Sequence, residues 1–280
     1  MKLAHLILAH NHAEQLERLV NKLAHPDADV YVHIDAKVNL RPFESLKRFE
    51  KVYFITNRVK IYWGAFNMVE ATVNSLEQII SSKNKYDYIN LLSGHDYPIQ
   101  PATAFINYLS DNPGKAFMSA LLAETHCRDL LPRVQKYYLD NYRFPMRYRA
   151  QRLLNRILPP RKMPGNMVLV GRSQWFTLSV ESVDYILKFW DAHPSFRNFM
   201  KFTWGPDEFV FQTILYNSPL KDKMVNDDLR YIDWTAGGKN PKTLTMDDAD
   251  KLLESKKFFA RKFDMQRHPD VLEYIDKHLL

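Results

Sequence analysis

Glycine is scarce in this chain, with eight in 280 residues, and none stands in GxGxxG or GxxxxGK[ST] spacing. A dinucleotide fingerprint and a Walker loop are thereby excluded, since both need several glycines to bring backbone amides against phosphate. Cysteine is scarcer still. The single Cys127 allows no internal disulfide, in keeping with a reducing compartment. Neither HExxH nor CxxC occurs, so the common zinc sites are missing. No apolar run approaches the roughly 20 residues that span a bilayer. The first residues turn polar too soon for a signal peptide, which makes the cytoplasm the expected location.

What is present fits a globular protein. Hydrophobic residues make up 46% and charged ones 25%, enough apolar surface for a sizeable core. The net charge of +7 is concentrated: residues 128–162 hold ten Lys and Arg against Asp129 and Asp140, so the rest of the chain is close to neutral. Inside that stretch, 146–158 sets Leu153, Leu154, Ile157 and Leu158 against Arg149, Arg152 and Arg156 at helical spacing. Such a helix can rest on an anionic membrane or grip phosphates, and it can equally be a solvated helix face. Nucleic acid is not expected as a partner, because no RRM, zinc-finger or helix-turn-helix pattern accompanies the charge.

Periodicity along the chain predicts alternating strands and helices. Strands are expected over 3–9, 30–34, 52–56, 88–92 and 115–120, with helices over 14–24 and 69–80 and a helix opening on Pro101 at its first position. That order predicts an α/β fold with a mostly parallel sheet. Further on, strands over 167–170 and 174–178 are expected to enclose Gly171-Arg172-Ser173. Ser179 is expected to cap a helix, and Thr245 with Asp248 to form a capping box.

Three polar groupings invite chemistry. The strand at 88–92 runs into Ser93-Gly94-His95-Asp96, and the carboxyl ends of strands in open α/β sheets are where ligands sit. The same Asp96 can simply bond its own turn. Pro206-Asp207-Glu208 reads as the first turn of a helix, where both carboxylates should be ionised, as helix caps or as a proton acceptor. Two Asp-x-Asp triplets, at Asp27 and Asp248, read as capping and solvated acids and not as metal ligands. No metal is therefore expected, and a diphosphate would need cations such as Lys239, Lys242, Arg261 and Lys262.

Taken together, His10, Val32-His33-Ile34-Asp35, Tyr62-Trp63-Gly64, Ile89 to Ile99, Gly171-Arg172-Ser173-Gln174-Trp175, Pro206-Asp207-Glu208 and Phe259 to Asp264 resemble the core-2/I-branching β-1,6-N-acetylglucosaminyltransferase family. That family also includes the peptide O-xylosyltransferases. The resemblance implies one GT-A domain, Rossmann-like, with a mixed and mostly parallel sheet flanked by helices. Its nucleotide half would be 1–120, its basic variable segment 121–165, and its acceptor and catalytic half 166–280. It implies inverting transfer of N-acetylglucosamine, with xylose as the alternative, from a UDP-sugar without metal or other cofactor.

By that resemblance Glu208 is the general base, and Lys262 with Lys239, or Lys242 nearby, holds the diphosphate. Leu8, His10, Asp35 and Trp63 line the nucleotide; Tyr231, Trp204 and Asp96 fall on the acceptor side. Asp233 departs from the aromatic that branching enzymes carry there. The chain resembles bacterial members, whose acceptor would be a cell-envelope glycan or lipid-linked sugar, with 146–158 as a membrane-facing surface. A non-catalytic glycan- or nucleotide-binding module is the alternative from another class.

Overall fold

The structure, a computed structural model, describes residues 1–238 and 240–279. In chain order the elements are β1 (Leu3–Ala9), α1 (Ala13–Lys22), β2 (Ala28–Ile34), β3 (Val52–Phe54), α2 (Asn67–Ile80), β4 (Tyr88–Ser93), β5 (Tyr97–Pro98) and α3 (Ala102–Ser110). There follow β6 (Ala116–Leu122), α4 (Leu130–Gln135), α5 (Arg147–Ile157), β7 (Val170–Ser179), α6 (Val180–Ala192), α7 (Pro194–Met200) and α8 (Val210–Tyr216). The last are β8 (Met224–Asn226), β9 (Arg230–Ile232), α9 (Ala249–Glu254), β10 (Phe259–Arg261) and α10 (Pro269–Leu279). The protein is thus the mixed, mostly parallel α/β fold that the alternation predicts. It divides into two compact units, one built from 1–56, 84–113 and the chain from Leu229 onward, the other from 57–83 and 114–228.

In the first unit, four parallel strands lie in the order β3-β2-β1-β4, with Leu3 opposite Ala28 on one side and Tyr88 on the other. Every residue of β1, β2 and β4 is buried, as befits strands covered on both faces. A small sheet, β5-β10-β9, stands beside them. Polar groups inside this unit are bonded. The buried Arg230 donates to Asn90 Oδ1 (2.6 Å) and the Leu91 carbonyl, and Asn90 in turn meets His5 Nδ1 at 3.0 Å. Burial, with Arg230 adding to it, pushes the His5 imidazole down to about 3, so it stays neutral.

Gln15 on α1 ties three segments of this unit together. Its Nε2 donates to the carbonyls of Gly94 (3.1 Å) and Phe263 (3.2 Å), while its Oε1 accepts from the Met265 amide (2.8 Å). The turn after β4 and the loop after β10 are both clamped by one buried side chain.

In the second unit β6 pairs antiparallel with β7 and parallel with β8. Ser179 caps α6 as expected, accepting from the Ser182 amide at 3.3 Å. Gly171-Arg172-Ser173 does not form the expected turn. It runs straight through the single strand β7, and the irregularity falls in the partner strand between Met118 and Ala120. The reason lies at Gly171, where a Cβ would stand 2.3 Å from Phe209 Cβ and 2.5 Å from the Glu208 carbonyl. Its glycine serves a close backbone approach rather than a reversal.

Other expectations shift for local reasons. Pro101 occupies the N-cap, one residue before α3, with an extended ψ of 143°. The Thr245–Asp248 capping box forms, on a 3-10 turn that precedes α9. Neither Asp29 nor Asp248 is solvated as expected. Asp29 accepts from Tyr86 Oη (2.6 Å) and Asn84 Nδ2 (2.9 Å), and Asp248 pairs with Lys242 at 2.6 Å, so each carboxylate is buried with its donors.

Replacing Gln15 by Ala leaves three buried backbone groups short of a partner, which should lower unfolding free energy by about 3 kcal/mol. Urea unfolding measures this, and a loss below about 0.5 kcal/mol would contradict the clamp.

Candidate active site

The first unit gathers ionisable groups at the carboxyl ends of its parallel strands. Leu8 is buried in β1, and His10 follows directly. Asp35 follows β2 and is buried; it accepts from the Lys37 amide (2.8 Å) and pairs with Lys37 Nζ at 3.4 Å. His95, beyond β4, bonds the Phe263 carbonyl through Nδ1 (3.1 Å), and its ring lies 5.9 Å from that of His10 and 5.3 Å from that of His12. Burial pushes the His95 imidazole down to about 4, helped by Lys262, His12 and His10 and opposed by the Phe263 carbonyl. Desolvation also lowers His10, where Lys37, Lys262 and His12 act the same way and Asp35 pulls upward. Neutral imidazoles and two ammonium groups thus stand around one buried carboxylate, a setting that suits a polar ligand carrying negative charge.

The second unit holds the other grouping. Pro206–Glu208 is a 3-10 turn, and Phe209 (φ −149°) separates it from α8. The expected helical first turn is therefore not there, and the two acids part company. Asp207 is buried, its Oδ1 without a hydrogen-bond partner among the described residues; burial first, and then the neighbouring Glu208, push its carboxyl up to about 7. Glu208 is 37% exposed and accepts from Arg133 Nη1 at 2.5 Å. The same guanidinium holds Asp129 at 2.8 Å and lies 4.6 Å from the centroid of the Trp204 ring. Trp63 meets Trp204 edge to face at 5.2 Å and is itself 58% exposed.

Two glycines make that packing possible. Gly64 has φ +69°, and a Cβ there would stand 2.6 Å from Trp204 Nε1; its carbonyl accepts from the Gly205 amide at 2.7 Å. The result is an aromatic wall with a clamped, reachable carboxylate beside it. Such a carboxylate can take a proton from a bound hydroxyl.

A model of the Core-2/I-Branching enzyme family matches residues 3–254. The chain belongs to that family. Among relatives of this core-2/I-branching chain, xylosyltransferase 2 of Rattus norvegicus is 26% identical and that of Mus musculus 27%, each over 301 aligned residues covering 100% of this chain and 34% of the relative. Xylosyltransferase 1 of Rattus norvegicus is 24% identical and is covered to 35%. The chain thus spans about a third of the length of these curated relatives. Among solved structures, mouse xyloside xylosyltransferase 1 in its apo form aligns over 92% of this chain and 97% of its own, at 12% identity and a TM-score of 0.40.

The expected site residues of this core-2/I-branching chain fall into the two groupings. Leu8, His10, Asp35 and Lys262 lie in the first unit, as does Tyr231, half-buried in β9. Glu208, Trp204 and Trp63 lie in the second, so Trp63 sits with the second tryptophan. Asp96 does not fit the acceptor side. It has no exposed surface, accepts from the Ser93 amide (3.0 Å) and pairs with Arg261 at 3.5 Å, so it holds the turn after β4. Lys239 lies outside the described residues, and the alternative Lys242 is committed to Asp248. Asp233, also buried, accepts from the Thr235 amide and hydroxyl, and these bonds hold its carboxyl below the usual range.

Arg133 was not singled out by sequence. Its one local signal is the i,i+4 spacing from Asp129, which says nothing of Glu208, 75 residues on.

An unfolded aspartate titrates near 4, so between about pH 4 and pH 7 the folded chain keeps a proton on Asp207 that the unfolded chain has lost. Stability should therefore fall as pH rises through that window, by a few kcal/mol at most, and level off above it. Asp207→Asn should flatten this slope in urea unfolding at stepped pH; an unchanged slope in the variant would contradict the assignment.

Proposed function

We propose that this chain is a GT-A-like glycosyltransferase that moves a sugar from a UDP donor to a hydroxyl of a glycan or lipid-linked acceptor, with inversion and without metal. The observation that carries the reading is Glu208, half-exposed beside Trp204 and Trp63 and clamped by Arg133. Its carboxylate takes the proton of the acceptor hydroxyl. The freed oxygen bonds to the anomeric carbon as the bond from that carbon to the UDP oxygen breaks, and the electron pair leaves with the diphosphate. Lys262 neutralises that leaving group, with Lys239 as its partner. Asp35, His10 and Leu8 receive the nucleoside, and Tyr231 serves the acceptor.

Membership of the core-2/I-branching family supports sugar transfer. The donor is N-acetylglucosamine or xylose, and the names of the relatives favour xylose. Arg133 acts as a positioning residue, setting the direction from which Glu208 meets a hydroxyl.

UDP release from UDP-GlcNAc, UDP-xylose, UDP-glucose and UDP-galactose, with EDTA throughout, tests the proposal. One donor should turn over, Glu208→Gln should lose at least about 100-fold in kcat, and Arg133→Ala should lose about 10-fold or more with partial rescue by Lys. Turnover that requires added metal, or that survives in Glu208→Gln, would overturn it.

A further inference from the structure

We infer that α5 is a docking face for an anionic phospholipid surface, with a recess beside it that takes a lipid phosphate. The helix is amphipathic in the reverse sense to a packed one. Its contacts to the protein are polar: Gln151 Oε1 accepts from the Leu139 amide (2.9 Å), and Asn155 exchanges hydrogen bonds of 2.7 Å with both the amide and the carbonyl of Tyr137. Its apolar stripe points away. Met146, Leu153 and Ile157 share a face with Ala150 at the i, i+4, i+7, i+11 spacing and are 68%, 57% and 69% exposed. No residue of α5 is buried.

Charge identifies the occupant. Arg149, Arg152 and Arg156 form a row at i, i+3, i+7 along the edge of the stripe, and residues 141–180 contain eight Lys and Arg with no Asp or Glu. Among the described residues none of the three arginines pairs with a carboxylate. Beside the row lies a recess of about 410 Å³ lined by Lys136, Tyr138, Gln151, Arg152, Asn155 and Arg156, three cations around a polar floor. An exposed apolar stripe edged by arginines and a cationic recess is what a layer of anionic headgroups over acyl chains complements. A second copy of the chain does not, because a two-fold contact through this face would set arginine row against arginine row.

The strap under the helix belongs to the same unit as Glu208. Lys136 follows α4, which carries Arg133, and Arg161 Nη1 donates to the Lys136 (3.1 Å) and Phe202 (2.6 Å) carbonyls. If sugar transfer is as proposed above, this surface brings the second unit to a membrane-borne acceptor; lipid binding itself does not depend on that reading.

Co-sedimentation with vesicles of phosphatidylcholine, alone or with one-third phosphatidylglycerol, tests the inference with the whole chain and no sugar nucleotide. The protein should bind the anionic vesicles and not the neutral ones. Arg152→Gln with Arg156→Gln should weaken binding about thirtyfold, and Leu153→Ser with Ile157→Ser about tenfold, with unchanged circular dichroism because all four side chains are exposed. Equal binding to both vesicles, no binding to either, or unchanged binding in the variants would overturn it. So would a dimer in size-exclusion chromatography that the Leu153→Ser and Ile157→Ser pair dissolves, which would make the occupant a second copy.

Discussion

The candidate base stands where it does because position 171 has no side chain. Strand β7 accepts the backbone of Glu208 and Phe209 at a distance that any Cβ would forbid, and the 3-10 turn is pressed flat against the strand. From that contact the rest of the second grouping follows. Asp207 turns inward and is desolvated, Glu208 turns outward to Arg133, and the guanidinium stacks on Trp204, which Gly64 admits by the same lack of a side chain. Two adjacent acids acquire opposite characters from backbone geometry alone.

Polar side chains play a comparable part in the first unit, where burial is tolerated because each group has its donors. Gln15 clamps the loops that carry His95 and Phe263, and Arg230 links β9 to β4 through Asn90 and Leu91. These bonds fix the strand ends on which His10, Asp35 and Lys262 stand. A buried hydrogen bond adds little net stability, but leaving a partner unmade is expensive, so such networks select one arrangement of loops over others.

Continuous apolar runs made much of the first unit legible in the sequence: β1 falls on 3–9 and β4 on 88–93 because strands buried on both faces admit few polar residues. Separated motifs, read in order, pointed to the family that the comparisons then gave. Periodicity revealed the stripe on α5 but not its direction, since a helix wheel is silent on which side meets the protein; that needed the bonds of Gln151 and Asn155. Asp29, Asp248 and Asp207 were misjudged for one reason. Acids are usually exposed, and only the fold shows that Tyr86, Lys242 or nothing at all lies opposite them. Arg133 escaped notice because its partner is remote in sequence.

The account divides labour between a nucleotide-holding grouping and a proton-accepting one, and calorimetric titration of UDP in EDTA tests that division most directly. Lys262→Ala should bind UDP about 10- to 100-fold more weakly than the parent chain, whereas Glu208→Gln should bind it within about twofold of the parent despite its lost turnover. Equal loss of UDP affinity in both variants, or full affinity in Lys262→Ala, would contradict it.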